Sequence, residues 1–203
     1  MSKKQPNVDS EGKRFQDPSE APSKIPKNAE LAFKGVIWDI YHWKEKMFDG
    51  SEEVFEGLKK RGSVKIVALA GSKVIMTKEQ QPGSEIYYSL LGGAMNDGER
   101  PLDCAKRELL EEAGMVSDQW ELLQIIDVLK YPRIDFFTHL FIAKDCRKTM
   151  RQKLDIGEKI EIIETSFDQF IENMHQSSDR AGGAGALLND KAQIDALRAR
   201  LGI

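Results

Sequence analysis

Three carboxylates, Glu108, Glu111 and Glu112, fall within five residues near the middle of the chain, with Glu99 and Arg107 just upstream. Like charges at these spacings repel, and in an isolated helix each such pair costs about 0.2–0.5 kcal/mol. A hard divalent cation reverses that penalty, because carboxylate oxygens are the ligands that Mg²⁺ and Mn²⁺ prefer. The chemistry these residue types suggest is therefore metal-assisted. A glutamate-rich helix face is also an ordinary solvated surface, and the three residues alone do not separate the two readings.

The surrounding residues say how such a cluster would be positioned. Pro101 suits the first turn of a helix and Gly114 the position just past its end, so the sequence predicts a helix over Pro101 to Ala113. At about 100° per residue from Leu102, the residues Leu102, Ala105, Leu109, Leu110 and Ala113 span an arc from about 300° through 0° to 80°. Glu111, Glu108 and Glu112 follow at about 180°, 240° and 280°, a contiguous acidic stripe beside the buried arc. Arg107, at about 140°, points away from the core and is placed to pair back to Glu99 across the preceding loop. That loop, Gly92 to Gly98, carries glycines that let the backbone fold tightly against the helix start and aim a carbonyl at the same ion.

Elsewhere the chain reads as strands with few helices. Gly35 to Trp43 is aromatic and β-branched; Ser63 to Leu69 and Lys73 to Glu79 form a hairpin about Gly71-Ser72; Ile86 to Gly92 is a further strand leading into the acidic stretch. Glu121 to Leu129, Phe136 to Ala143 and Glu158 to Glu164 also read as strands, and Ser51 to Gly62 is ambiguous between helix and strand. Ser166 to His175 is a helix capped by Ser166, and another amphipathic helix begins near Asn189. Without regular βαβ alternation, the class is α+β. The expected organisation is a polar, disordered tail over 1–28, an N-terminal β extension over 29–62 and the main domain over 63–203.

Composition narrows the classes of function. The 203 residues carry a net charge of −3, with 40% hydrophobic and 31% charged residues. This balance supports one ordinary domain and shows no basic excess, so no nucleic-acid partner is expected. The run Lys59, Lys60, Arg61 reads as a solvated stretch. No apolar stretch is long enough for a signal peptide or a membrane span, and Cys104 and Cys146 form no disulfide framework; a cytoplasmic setting is expected, with no membrane partner. His42, His139 and His175 lie in no metal-binding pattern, and the run Ala181 to Ala186 reads as a loop.

The full spacing decides the reading of the acidic cluster. Gly93, five residues, Glu99, seven residues, Arg107-Glu108-Leu109, one residue, Glu111-Glu112, one residue and Gly114-Met115 match the Nudix box at every position. Seven fixed residues at about 7% usage each arise by chance on the order of 10⁻⁸ per starting position. The chain resembles a Nudix hydrolase. From the Gly35–Gly50 run to Lys73–Gln81, and again at Pro132 and Gly157 to Ile162, it is similar to the ADP-ribose pyrophosphatase and nucleoside-diphosphate-sugar hydrolase branch.

The resemblance implies an α/β/α sandwich around a mixed sheet, with an N-terminal β extension that exchanges across a homodimer. It implies Mg²⁺, or Mn²⁺, held by Glu108, Glu112 and the Gly92 carbonyl. Glu111 would bind a further ion or position water, and Glu99 and Arg107 would hold the box together. Glu158 is the candidate general base and Glu111 the alternative. Trp38 is a candidate to stack on a nucleobase and Arg133 to meet a phosphate; a core or interface role for the first and a surface role for the second stand beside these. The implied substrate is a nucleoside diphosphate linked to a sugar. Nucleoside triphosphates, dinucleoside polyphosphates and nucleotide sensing without hydrolysis are the alternatives. Two departures stand out: Glu79-Gln80 is followed by Gln81-Pro82-Gly83, where the branch usually supplies an arginine, and the segment after Pro132 is shorter than the branch's usual glycine-rich loop.

Overall fold

Val64, Ile66 and Ala68 alternate with Lys65, Val67 and Leu69, so one strand must face two different layers. The computed structural model, which describes residues 21–154, 159–177, 188 and 190–203, shows those layers. In chain order the elements are β1 (Glu30–Phe33), β2 (Trp38–Lys46), β3 (Glu52–Lys60), β4 (Ser63–Ala70), β5 (Lys73–Gln80), β6 (Tyr87–Ser89), α1 (Pro101–Ala113), β7 (Met115–Val116) and β8 (Gln119–Asp127). There follow β9 (Ile134–Asp135), β10 (Phe137–Lys144), β11 (Arg147–Lys148), β12 (Lys159–Thr165), α2 (Phe167–Gln176) and α3 (Lys191–Leu201).

The central sheet runs β12-β5-β4-β10-β8, with β6 beside β5. It is mixed, because β10 lies parallel to β4 while the other pairs are antiparallel. On one face, Cys104, Ala105, Leu109 and Ala113 of α1 pack on Val64, Ile66, Ala68, Ile75 and Phe141. On the other, Phe167, Phe170 and Met174 of α2 and Leu197 and Leu201 of α3 pack on Val67, Leu69, Val74, Met76 and Ile142. This is an α/β/α sandwich of the expected class. Pro101 opens α1, and Gly114, at φ 64°, closes it with its N–H on the Leu110 carbonyl. Ser166 caps α2 by accepting from the Gln169 N–H.

A second sheet, β1-β2-β3-β9, joins three strands that precede the sandwich in sequence to β9, from the connection between β8 and β10. The ambiguous stretch Ser51 to Gly62 is a strand there, paired with β2 from Trp38↔Lys60 to Lys46↔Glu52. Most of its residues are partly or fully exposed, which removes the hydrophobic alternation a sequence reading relies on. Within the stretch assigned to the tail, Ser23 Oγ and the Lys24 N–H bind the Asp135 carboxylate, and Lys24 pairs with Asp127. Ile25 packs at Gly57, where a Cβ would come within 2.4 Å of its Cδ1.

The strands β4 and β5 pair only from Ala68↔Ile75 to Ala70↔Lys73 and then part. Beyond that point β6 takes the edge of β5, while Leu91 bridges Ile66 and Ala94 bridges Ser63. The stretch Ile86 to Gly92, expected as one strand, is thus a short strand followed by isolated bridges, because the chain crosses from one parted strand to the other.

Phe170 is fully buried on the face opposite α1. Phe170→Ala is expected to cost about 3–5 kcal/mol of stability, measured by denaturant unfolding, with no change in divalent-ion binding in the variant that remains folded.

Candidate active site

Arg107 gathers the acidic residues. Its Nε and Nη2 donate to Glu99 Oε1 and Oε2 at 2.9 and 3.0 Å, a bidentate pair. Its Nη1 donates to Glu108 Oε1 at 2.7 Å and Glu111 Oε2 at 2.9 Å, and Nη2 also reaches the Ala94 carbonyl at 3.1 Å. The guanidinium beside Glu99 holds that carboxyl at about 2, well below its ordinary value, against the opposing effect of burial; the Asn96 N–H helps. Glu99 in turn drives Arg107 to hold its proton more tightly than an ordinary arginine. The pairing back across the loop expected of these two residues is present.

The helical order of the acidic stripe sets its burial. Glu112 and Glu108, nearest the core arc, are 6% and 9% exposed, while the Glu111 side chain is 39% exposed. Glu112 Oε2 accepts from the Gly92 N–H at 2.7 Å. The contact seen at Gly92 is thus through its N–H. Gly92 sits at φ 137°, and a Cβ there would meet the Val64 carbonyl oxygen at 2.1 Å, so the turn requires glycine. At Gly93 a Cβ would meet Glu108 Oε1 at 2.5 Å; the carboxylate lies directly against the backbone.

The donor set suits a hard cation. Burial pushes the Glu112 carboxyl up to about 8; Lys65 and the Gly92 N–H oppose this, and Glu79 and Glu108 add to it. A buried carboxylate short of positive charge beside a second one is a site that a divalent ion would satisfy. Among the described residues, no three Asp, Glu, His or Cys side chains already converge as a metal cluster. The reason is visible: Arg107 Nη1 bonds both Glu108 and Glu111 while Glu112 turns to Gly92. An ion shared by these carboxylates requires that arrangement to open.

Trp38 lies edge-on to Phe136 at 5.8 Å, with Lys60 Nζ 5.9 Å from its ring. Lys60 thus rests on aromatic rings as well as facing solvent. Arg133 stacks over Phe55 at 4.3 Å. Among the described residues, neither Trp38 nor Arg133 joins the hydrogen bonds around Glu108, Glu111 and Glu112. Glu158 lies outside the described residues, as does the run Ala181 to Ala186. The chain leading toward Glu158 is tied to the end of α1, since Lys153 N–H donates to the Glu111 carbonyl at 2.8 Å and Gln152 Nε2 to that of Glu112 at 2.5 Å. Both cysteines are buried, and burial pushes the Cys146 thiol up to about 11 and the Cys104 thiol further, so neither is an activated nucleophile.

A buried polar layer beside Glu112 escaped the sequence reading. Glu79 accepts from Thr77 Oγ1 at 2.5 Å and from the Tyr87 hydroxyl at 2.9 Å, and Lys65 Nζ reaches Ser89 and Leu90. Alternation carried the signal: Thr77 and Glu79 continue the inward-facing register of Ile75, where a strand on a core face should be apolar.

These pKa shifts have a consequence with a definite sign. Glu112 stays protonated in the folded chain up to about 8 but ionises near 4.5 when unfolded. Its contribution to stability is therefore complete below pH 4.5 and is lost as pH rises through 8. Glu99 acts oppositely, its contribution falling away only as pH drops from 4.5 toward 2. In metal-free protein, Tm is expected to fall between pH 5 and 8, with the slope much reduced in Glu112→Gln and Tm restored by saturating Mg²⁺; calorimetry across that range checks it.

Comparisons with known proteins place the chain in a family. A model of the NUDIX domain matches residues 59–181. A Bacillus subtilis (strain 168) protein named ADP-ribose pyrophosphatase is 27% identical over 143 residues, covering 68% of this chain and 76% of that protein. A Bacillus methanolicus protein named methanol dehydrogenase activator is 29% identical over 147 residues, covering 70% and 78%. A crystal structure of an ADP compounds hydrolase superposes with a TM-score of 0.62 over 87% of this chain and 92% of that one, at 17% identity, a likeness of fold. With the family model spanning more than half of the chain and containing every residue from Gly93 to Gly114, this chain belongs to the Nudix family.

Proposed function

We propose that the chain is a divalent-metal-dependent diphosphatase acting on a nucleoside diphosphate linked to a sugar, with ADP-ribose as the type substrate. The observation that carries this reading is the pair of buried carboxylates set against the Gly92-Gly93 turn, Glu108 held by the Arg107 clamp and Glu112 by the Gly92 N–H. The similarity to a protein named ADP-ribose pyrophosphatase supports the substrate class.

In this reading Glu108, Glu112 and Glu111 hold Mg²⁺ or Mn²⁺, with the Gly92 carbonyl as a backbone donor. The metal, when bound, offsets charge on the diphosphate oxygens and lowers the pKa of a water. Glu99 and Arg107 keep the loop on the helix. Glu158 takes the proton of the attacking water, with Glu111 as the alternative. Water adds across the P–O–P bridge, so ADP-ribose and water give AMP and ribose 5-phosphate. Trp38 and Arg133 are assigned to the nucleobase and to a phosphate, a role that requires Arg133 to leave the Phe55 ring.

The working form is proposed to be a homodimer. The N-terminal sheet and its turns expose Leu31, Phe33, Val36, Ile37 and Val54, which a second copy would cover. Phe33→Asp is expected to shift the wild-type dimer to monomer in light scattering; a wild-type chain already monomeric at micromolar concentration would rule the dimer out.

The decisive assay measures release of phosphate monoesters from ADP-ribose, other nucleoside-diphosphate sugars, dinucleoside polyphosphates and nucleoside triphosphates with Mg²⁺ or Mn²⁺. ADP-ribose or a related sugar is expected to turn over, and Glu112→Gln to lose about 10²–10³-fold or more in kcat. Preference for triphosphates or dinucleotides would move the substrate class, and tight nucleotide binding without turnover of any substrate would make the chain a sensor.

A further inference from the structure

Lys65 lies between Val64 and Ile66, both fully buried, yet its ammonium does not run to solvent. It donates to Ser89 Oγ at 2.8 Å and to the Leu90 carbonyl at 2.9 Å. Ser89 and Leu90 are themselves 1% and 2% exposed. Among the described residues no carboxylate forms an ion pair with Lys65. A partly buried ammonium with no carboxylate in direct contact is costly to hold, so its position calls for a reason beyond packing.

We infer that Lys65 is a positioning residue of the site: its ammonium clasps the Ser89-Leu90 turn so that Gly92 meets Glu112, and this clasp sets the affinity for the divalent ion. The inference rests on the reading of Glu108 and Glu112 as ion ligands. A single residue separates Leu90, whose carbonyl is clasped, from Gly92, whose N–H binds Glu112 at 2.7 Å. Between them, Leu91 is pinned to Ile66, the neighbour of Lys65, by the Ile66 N–H to Leu91 carbonyl bond at 2.9 Å. The turn is held where β4 and β5 part, so the regular pairing of those two strands does not secure it. Removing the ammonium takes the charged donor from the Ser89 hydroxyl and the Leu90 carbonyl, leaving the carbonyl its longer bond from Ser89 Oγ at 3.1 Å, and the turn relaxes away from Glu112.

The test is Mn²⁺ binding to the full chain without substrate, followed by electron paramagnetic resonance, alongside thermal melting of the metal-free protein. Lys65→Met is expected to weaken Mn²⁺ binding by about 10-fold or more, the range seen when supporting residues of a metal site are removed, and Lys65→Arg to recover most of it. In turnover, Lys65→Met should raise the Mg²⁺ concentration for half-maximal rate more than the KM for ADP-ribose. Mn²⁺ affinity within twofold of wild type, or tighter, would overturn the inference even with a lowered Tm, since a purely structural lysine moves Tm alone. Ser89→Ala removes one acceptor of the clasp and keeps the charge. It stands in where Lys65→Met does not fold: weaker Mn²⁺ binding supports the clasp, and unchanged binding overturns it. Glu112→Gln separates the two failures, because Mn²⁺ binding that survives it sinks the ion-site reading itself, and the inference with it.

Discussion

One guanidinium holds the site together. Arg107 joins Glu99 at the end of the loop to Glu108 and Glu111 on the helix, and reaches the Ala94 carbonyl within the loop. Without it, three glutamates on two turns of helix repel, and the loop has no charged tether to α1. With it, the loop between Gly92 and Glu99 closes on the helix, and the buried carboxylates acquire fixed directions. The same bonds explain why the carboxylates are not yet gathered on one point: the clamp occupies oxygens that an ion would share. Arg107 is thus the tether of the site and, toward any ion held there, a rival for the carboxylate oxygens.

The sheet provides the place for that clamp. Alternation along β4, β5 and β10 gives two apolar faces, so α1 is fixed on one side while α2 and α3 seal the other. Where β4 and β5 part, backbone groups of the crossing chain pair with β4 instead, as in the Val64 N–H to Gly93 carbonyl bond at 2.9 Å. The gap is also where polar side chains collect inside an otherwise apolar layer. Thr77, Glu79, Ser89 and Lys65 satisfy one another or the backbone there. Polar groups so buried persist only when bonded, which makes this part of the sheet sensitive to substitution.

Much of this was legible in the sequence because short-range rules govern it. Pro101 and Gly114 mark the helix ends, and the wheel through Leu102 orders the glutamates as their burial does. Helix α2 announces itself through Ser166. The strand over Glu52–Lys60 was not legible, since it is exposed on most positions and exists through its pairing with β2. The packing of Ile25 on Gly57 was hidden for a related reason: a single apolar residue in a polar run has no period. The Glu79 and Lys65 layer was missed because its meaning depends on which strands part, a property of topology. No local pattern fixes the surroundings of Trp38 and Arg133, and their aromatic contacts with Phe136 and Phe55 are visible only in three dimensions.

Glu108, Glu111 and Glu112 ride on a single helix, whose hydrogen bonds set their mutual spacing without help from the rest of the fold. The residues assigned to substrate belong to other elements, Trp38 to β2 and Arg133 to the turn before β9. Under the proposed function, the residues that carry the reaction and those that select the substrate thus sit on separate elements, so that a change in the N-terminal sheet would alter what is bound without moving the carboxylate helix.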